Sequence, residues 1–215
     1  MRADLHIHTE YSFDCGTPLK KIISCCIERG INCIAVADHG TVEGALKMKE
    51  IAPFKVIVAE EILTPSGEIM GMFLAETIPS GLSVGEVLAR IRAQGGLVCL
   101  PHPFDRHRSG LLRHTPPPEL LAQADIVECF NARAPFSRDC HKARHLAEEY
   151  GLLCSAGSDA HTLGEIGNAY VEMPEFDNVE EFCSALAQGQ VFGHKAGLWV
   201  HFPTILTTLK KKILR

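Results

Sequence analysis

Ile31-Asn32-Cys33-Ile34-Ala35-Val36-Ala37-Asp38-His39-Gly40 is an apolar run, almost without alternation, that stops on an acid and an imidazole. A strand that is apolar on both faces is buried on both faces, as in a parallel sheet covered by helices. Comparable runs recur at residues 4–7, 55–59, 69–75, 97–100, 126–130, 152–156 and 169–171. Helical patterns lie between them. Residues 18–29 open with a proline and end before Gly30, and Ser83 and Glu86 have capping-box spacing ahead of Val87, Leu88 and Ile91. Phe136, Cys140, Ala143 and Ala147 make one stripe before Gly151, and Asn178 opens a helix with Phe182 and Leu186 on its apolar side. Alternating strands and helices imply parallel β/α units in a closed or distorted barrel, with an open doubly wound sheet as the alternative.

The chain of 215 residues suffices for one sizeable core. A single domain over residues 1–215 is expected, with residues from about 172 to 215 as an extension packed on the barrel. A formal charge of −5 gives no basic field, so no strong non-specific nucleic-acid binding is expected. No apolar run approaches the roughly 18–20 residues that span a bilayer. Asp4, His6 and His8 occupy the place where a cleaved leader would be apolar, so a cytoplasmic protein with no membrane partner is expected. The nine cysteines, several inside apolar runs and none in a C-x-x-C pair, read as buried reduced thiols without a disulfide or thiolate zinc site. Pro116-Pro117-Pro118 reads as a loop entering a helix. Residues 209–215, short and basic, read as a solvated terminal turn, with contact to an anionic surface as the alternative.

The chemistry sits where the strands end. In Asp4-Leu5-His6-Ile7-His8-Thr9 two imidazoles two residues apart point to one face. The later runs end in Asp38-His39, Glu60-Glu61, His102-Pro103 and Gly157-Ser158-Asp159-Ala160-His161. Parallel strands bring these ends to one rim, with Asp14 near them in the first loop. Imidazole and carboxylate donors without thiolate suit Zn²⁺, Mn²⁺ or Fe²⁺, and their number suits two or three divalent ions sharing a bridging carboxylate.

At these residues the sequence resembles the PHP (polymerase and histidinol phosphatase) family. The match runs in order over residues 3–170 through Asp4-Leu5-His6-Ile7-His8-Thr9, Ala37-Asp38-His39, Val56-Ile57-Val58-Ala59-Glu60-Glu61, His102-Pro103 and Gly157-Ser158-Asp159-Ala160-His161. The resemblance implies an α/β fold, a distorted (β/α)7 TIM-like barrel with a metal site at the C-terminal rim of its strands. It further implies a first metal held by His6, His8, Glu61 and Asp159, with Glu61 bridging to a second held by His102. A third would take Asp14, His39 and His161. The details resemble small stand-alone members of the family. Two departures stand out: Ala59 replaces a usual glycine, leaving Glu60 as an extra acid, with register favouring Glu61 as the ligand. Glu68 stands where many members carry a histidine ligand, and reads either as a ligand or as a surface residue, the surface reading being preferred.

The resemblance implies a phosphoesterase or phosphatase acting on a small phosphorylated substrate, a phosphomonoester or nucleotide. A metal-bound water would be the nucleophile, with His39 and His161 nearby. Arg133 and Arg106 are the expected phosphate-binding cations, Arg133 otherwise being a surface arginine paired with Asp139 or Glu128. The competing readings are a phosphodiesterase or exonuclease, a C–N amidohydrolase and a non-catalytic docking module. Substrate, metal identity and oligomeric state are not legible in the sequence.

Overall fold

Each apolar run forms a strand in the computed structural model, which describes residues 1–105, 117–197 and 200–213. The order is β1 (Arg2–Ile7), α1 (Leu19–Arg29), β2 (Cys33–Val36), α2 (Glu43–Ile51), β3 (Lys55–Thr64), β4 (Gly67–Met72), α3 (Val84–Ala93) and β5 (Leu97–Leu100). Then come α4 (Pro118–Leu121), β6 (Ile126–Asn131), α5 (Ser137–Tyr150), β7 (Leu153–Gly157), β8 (Ala169–Glu172), α6 (Val179–Ala187), β9 (Gln190–Gly193) and α7 (His201–Ile213). The sheet runs β7-β6-β5-β4-β3-β2-β1-β8-β9. Beyond the strand ends, Asp159 N–H donates to the His6 carbonyl at 2.7 Å and His8 N–H to the Ala160 carbonyl at 3.0 Å. These bonds draw β7 against β1, so β1 to β7 form a nearly closed, TIM-like barrel.

The lack of alternation has a direct cause. In β2, Ile34 and Val36 join a cluster with Ile22 of α1 and Met48 of α2. Cys33 and Ala35 join a second cluster that includes Phe182 of α6. Both faces of the strand are therefore apolar, each for a different layer. The helix signals act locally as read. Ser83 and Glu86 cap α3 reciprocally, and the Asn178 side chain accepts the Glu181 N–H at the start of α6.

The structure corrects several expectations. β4 is antiparallel to both β3 and β5, because Pro65 and Ser66 alone connect it to β3 and so short a link allows only a hairpin. Gly67, paired with Thr64, has φ 121°, a backbone region that favours glycine. Phe136 lies outside α5 as its N-cap and is exposed. α2 follows Asp38-His39 without a strong sequence signal. Cys129 and Cys154, on adjacent strands with Cα atoms 5.4 Å apart, form a disulfide rather than two free thiols. The basic tail is not a terminal turn: through Ile213 it belongs to the 13-residue α7. β8 and β9 continue the sheet beyond β1. No described helix is long and apolar enough to cross a membrane.

Candidate metal centre

The rim of the barrel gathers His6, His8, Asp14, His39, Glu61, His102, Asp159 and His161, all but His39 buried. Glu61 is the hub. Its Oε1 lies 2.8 Å from His102 Nε2, while its Oε2 lies 3.3, 3.4 and 3.5 Å from the Nε2 atoms of His6, His8 and His39. One carboxylate thus turns one oxygen to each side, as a bridging ligand does. Asp159 Oδ1 is 3.3 Å from His8 Nε2 and 3.9 Å from His6 Nε2. On the far side of His8, Asp14 Oδ2 lies 2.9 Å from His161 Nε2 and 3.5 Å from His39 Nε2.

Three groups of donors are close enough to hold a cation each: His8, Asp14, His39 and His161; His6, His8 and Glu61; and Glu61, Glu68 and His102. Glu68 therefore does not follow the surface reading. It is buried, with Oε2 3.9 Å from His102 Nε2, because the β4 hairpin reverses the chain and returns the start of that strand to the rim.

The electrostatics fit divalent cations. His6 Nε2 and His8 Nε2 face each other at 3.1 Å, where two imidazole lone pairs need a proton or a cation between them. Burial, then the neighbouring His161, pushes the His8 pKa down to about 3, so this imidazole is neutral and keeps a lone pair to donate. Burial also opposes charge on His6, but the Glu128, Glu61 and Asp159 carboxylates outweigh it and raise its pKa well above the usual value. Burial opposes charge on His39 as well, yet Glu61 and Asp14 carry it up to about 9. Glu61 and Asp14 are held well below the usual carboxylate range despite their burial, Glu61 mainly by His6 and His39 and Asp14 by hydrogen bonds from His161 and His39. A cluster that draws positive charge onto its imidazoles is one in which metal ions can replace those protons.

A supporting shell orients the donors. Glu128 accepts from His6 Nδ1 at 3.0 Å, from the His102 N–H at 2.7 Å and from Asn131 Nδ2 at 3.0 Å. It thereby aims His6 Nε2 into the centre. Asn131 Nδ2 also donates to Asp159 Oδ2 at 3.1 Å. Asp38 accepts the Thr9 N–H and hydroxyl, both at 2.6 Å, and Ser12 Oγ donates to Asp14 Oδ1 at 2.6 Å. His102 and Asp159 have φ of 27° and 56°, left-handed conformations that cost non-glycine residues about 1–3 kcal/mol each. The sequence suggested Glu128 only as a surface partner of Arg133 and gave Asn131 no role. The available signal was an acid inside the otherwise apolar run 126–130, which a strand buried on both faces tolerates only with partners.

Arg133 is not a surface residue paired with Asp139 or Glu128. It is buried, its Nε lies 3.3 Å from Glu165 Oε1, and its Nη atoms donate to the Asp159 carbonyl at 3.4 Å, the Val200 carbonyl at 3.2 Å and Thr204 Oγ1 at 2.8 Å. Arg106, with Arg108, His107 and His114, lies outside the described residues.

Comparison with known proteins agrees with this geometry. A model of the PHP domain matches residues 4–63, and a model of the PHP-associated C-terminal region matches residues 137–191. An uncharacterised protein of Methanocaldococcus jannaschii is 38% identical over 184 residues, covering 84% of this chain and 73% of that protein. Another from the same organism is 38% identical over 117 residues, covering 48% of this chain and 68% of its own. Among solved structures, a two-domain Bacteroides vulgatus protein described as containing a predicted PHP-like metal-dependent phosphoesterase superposes with a TM-score of 0.72 at 15% identity, over 96% of this chain and 69% of that one. The lesion-specific endonuclease EndoQ of Pyrococcus furiosus superposes with a TM-score of 0.66 at 18% identity, over 88% of this chain and 57% of that one.

Proposed function

Because the chain belongs to the PHP family, we propose that it is a metal-dependent phosphoesterase that hydrolyses a small phosphate ester, a phosphomonoester or a nucleotide. The observation that carries this reading is the buried Glu61 carboxylate, whose two oxygens face His102 on one side and His6, His8 and His39 on the other. Two or three divalent ions held there would supply positive charge for the phosphate oxygens and make a coordinated water acidic enough to serve as nucleophile. His6, His8, Glu61 and Asp159 would hold one ion, Glu61, Glu68 and His102 a second, and Asp14, His39 and His161 a third.

The chain's own residues supply orientation. Glu128 fixes His6 through Nδ1, and Asn131 fixes Asp159 through Nδ2. Arg133 steadies the backbone at Asp159. The burial of His6, His8, Glu61 and Asp159 excludes bulk water from the floor of the site, which strengthens each charge interaction there.

The test is purification without chelator, elemental analysis, and a phosphate-release screen with added Mn²⁺ or Zn²⁺. The substrates would be histidinol phosphate, nucleoside mono- and bisphosphates, sugar phosphates and an aryl phosphate. Bound metal with turnover lost in His8→Ala and Asp159→Ala supports the reading. Bound metal without release from any ester would overturn it.

A further inference from the structure

α7 is built inside out. Its inward side is polar: Thr204 Oγ1 accepts from Arg133 Nη2 at 2.8 Å, and Lys211 Nζ donates to the carbonyls of Glu10, Ser12 and Cys15 at 2.8, 2.6 and 2.7 Å. Its outward side is apolar. Phe202, Ile205, Leu206, Leu209 and Ile213 recur at helical spacing as one stripe, each more than half exposed. A helix on the surface of a globular protein normally shows the reverse arrangement. Lys210 and Lys212 are also exposed, and the helical repeat sets them on opposite flanks of the stripe.

We propose that α7 docks on the surface of an anionic lipid bilayer, its apolar stripe at the boundary between headgroups and acyl chains and its flanking lysines at the lipid phosphates. An apolar face bordered by lysines whose stems reach back to the headgroups is the pattern that binds such an interface. With 13 residues the helix is too short to span, so it lies in the plane of the surface. A second copy of the chain fits less well, because residues 201–213 contain no acid to meet Lys210 and Lys212 across a helix pair. Nucleic acid fits less well too, because an aliphatic stripe offers bases little to stack on. The proposal takes up the alternative of an anionic-surface contact for residues 209–215 and departs from the expectation of no membrane partner, which rested on the absence of a spanning segment and of an apolar leader. It does not depend on the hydrolase reading. Since Lys211 grips the loop that carries Asp14, docking sets the metal centre beside the lipid surface.

The experiment is co-sedimentation of the full chain with vesicles of phosphatidylcholine containing roughly one part in three of phosphatidylglycerol, alongside pure phosphatidylcholine vesicles. The variants are Leu206→Ser/Leu209→Ser and Lys210→Glu/Lys212→Glu, whose side chains point outward, with circular dichroism to confirm folding. Binding to the anionic vesicles is expected, with the bound fraction falling about tenfold or more in either variant and with high salt. Absence of binding by the unmodified chain, or binding unaltered in both variants, overturns the proposal. So does a dimer in sedimentation analysis that Leu206→Ser/Leu209→Ser dissociates, which would assign the stripe to a second copy.

Discussion

Glu60 and Glu61 are adjacent in sequence and opposite in circumstance, because consecutive side chains of β3 point to opposite faces. Glu61 faces four imidazoles. Glu60 faces none: its Oε2 accepts the Ile78 N–H at 2.8 Å, and burial pushes its pKa up to about 7. A carboxyl whose folded pKa is raised contributes stability below its unfolded value and loses it as pH rises through the folded one. Glu60→Gln, permanently neutral, should therefore gain about 3 kcal/mol over the parent at about pH 8 and lose that advantage below about pH 5, as read from denaturant unfolding at the two pH values. Glu128 acts on the opposite account. Its carboxylate fixes the His6 tautomer, so Glu128→Gln should weaken metal binding about 10- to 100-fold, measured by competitive chelator titration, while circular dichroism stays unaltered.

Strand ends carry most of the site, and at β7 they leave no spare room. A Cβ on Gly157 would lie 2.8 Å from the His6 backbone nitrogen and 2.9 Å from Glu128 Oε1. Gly157→Ala should cost about 1–3 kcal/mol in chemical unfolding and lower the bound-metal content, because β1 and β7 must part to admit it. At α7, Lys211→Met removes three donations to the loop of residues 10–15. Faster amide exchange in that loop is expected by mass spectrometry, with a stability loss of about 1–3 kcal/mol. Legibility in the sequence followed the same divisions. Runs buried on both faces announced themselves, as did the His and Asp residues that close them. β4 misled, because direction is a property of pairing and not of composition, and Glu68 was misjudged with it. α7 misled because its buried side is polar, so hydropathy pointed the wrong way.

As a whole molecule, the protein packs a concentrated set of carboxylates and imidazoles into one end of a barrel whose other layers are apolar. Ions bound only by the folded state stabilise it by mass action, about 2.7 kcal/mol for a site at 100 times its dissociation constant. Exhaustive chelation should lower the melting temperature, and readdition of Mn²⁺ or Zn²⁺ should restore it. An unchanged melting temperature would count against the donor cluster as a metal centre. The β3–β4 hairpin gives the centre a history as well as a shape. Glu61 and Glu68 belong to one local hairpin, of a kind that forms in about 1–10 μs, whereas His6 meets Asp159 only when distant ends of the chain come together. The bridging carboxylate and its acidic neighbour are thus expected to be placed early, and the histidines that complete the pocket to arrive last. An ion captured during that interval would act as a nucleus around which the barrel shuts, so refolding with metal present should outpace refolding without it.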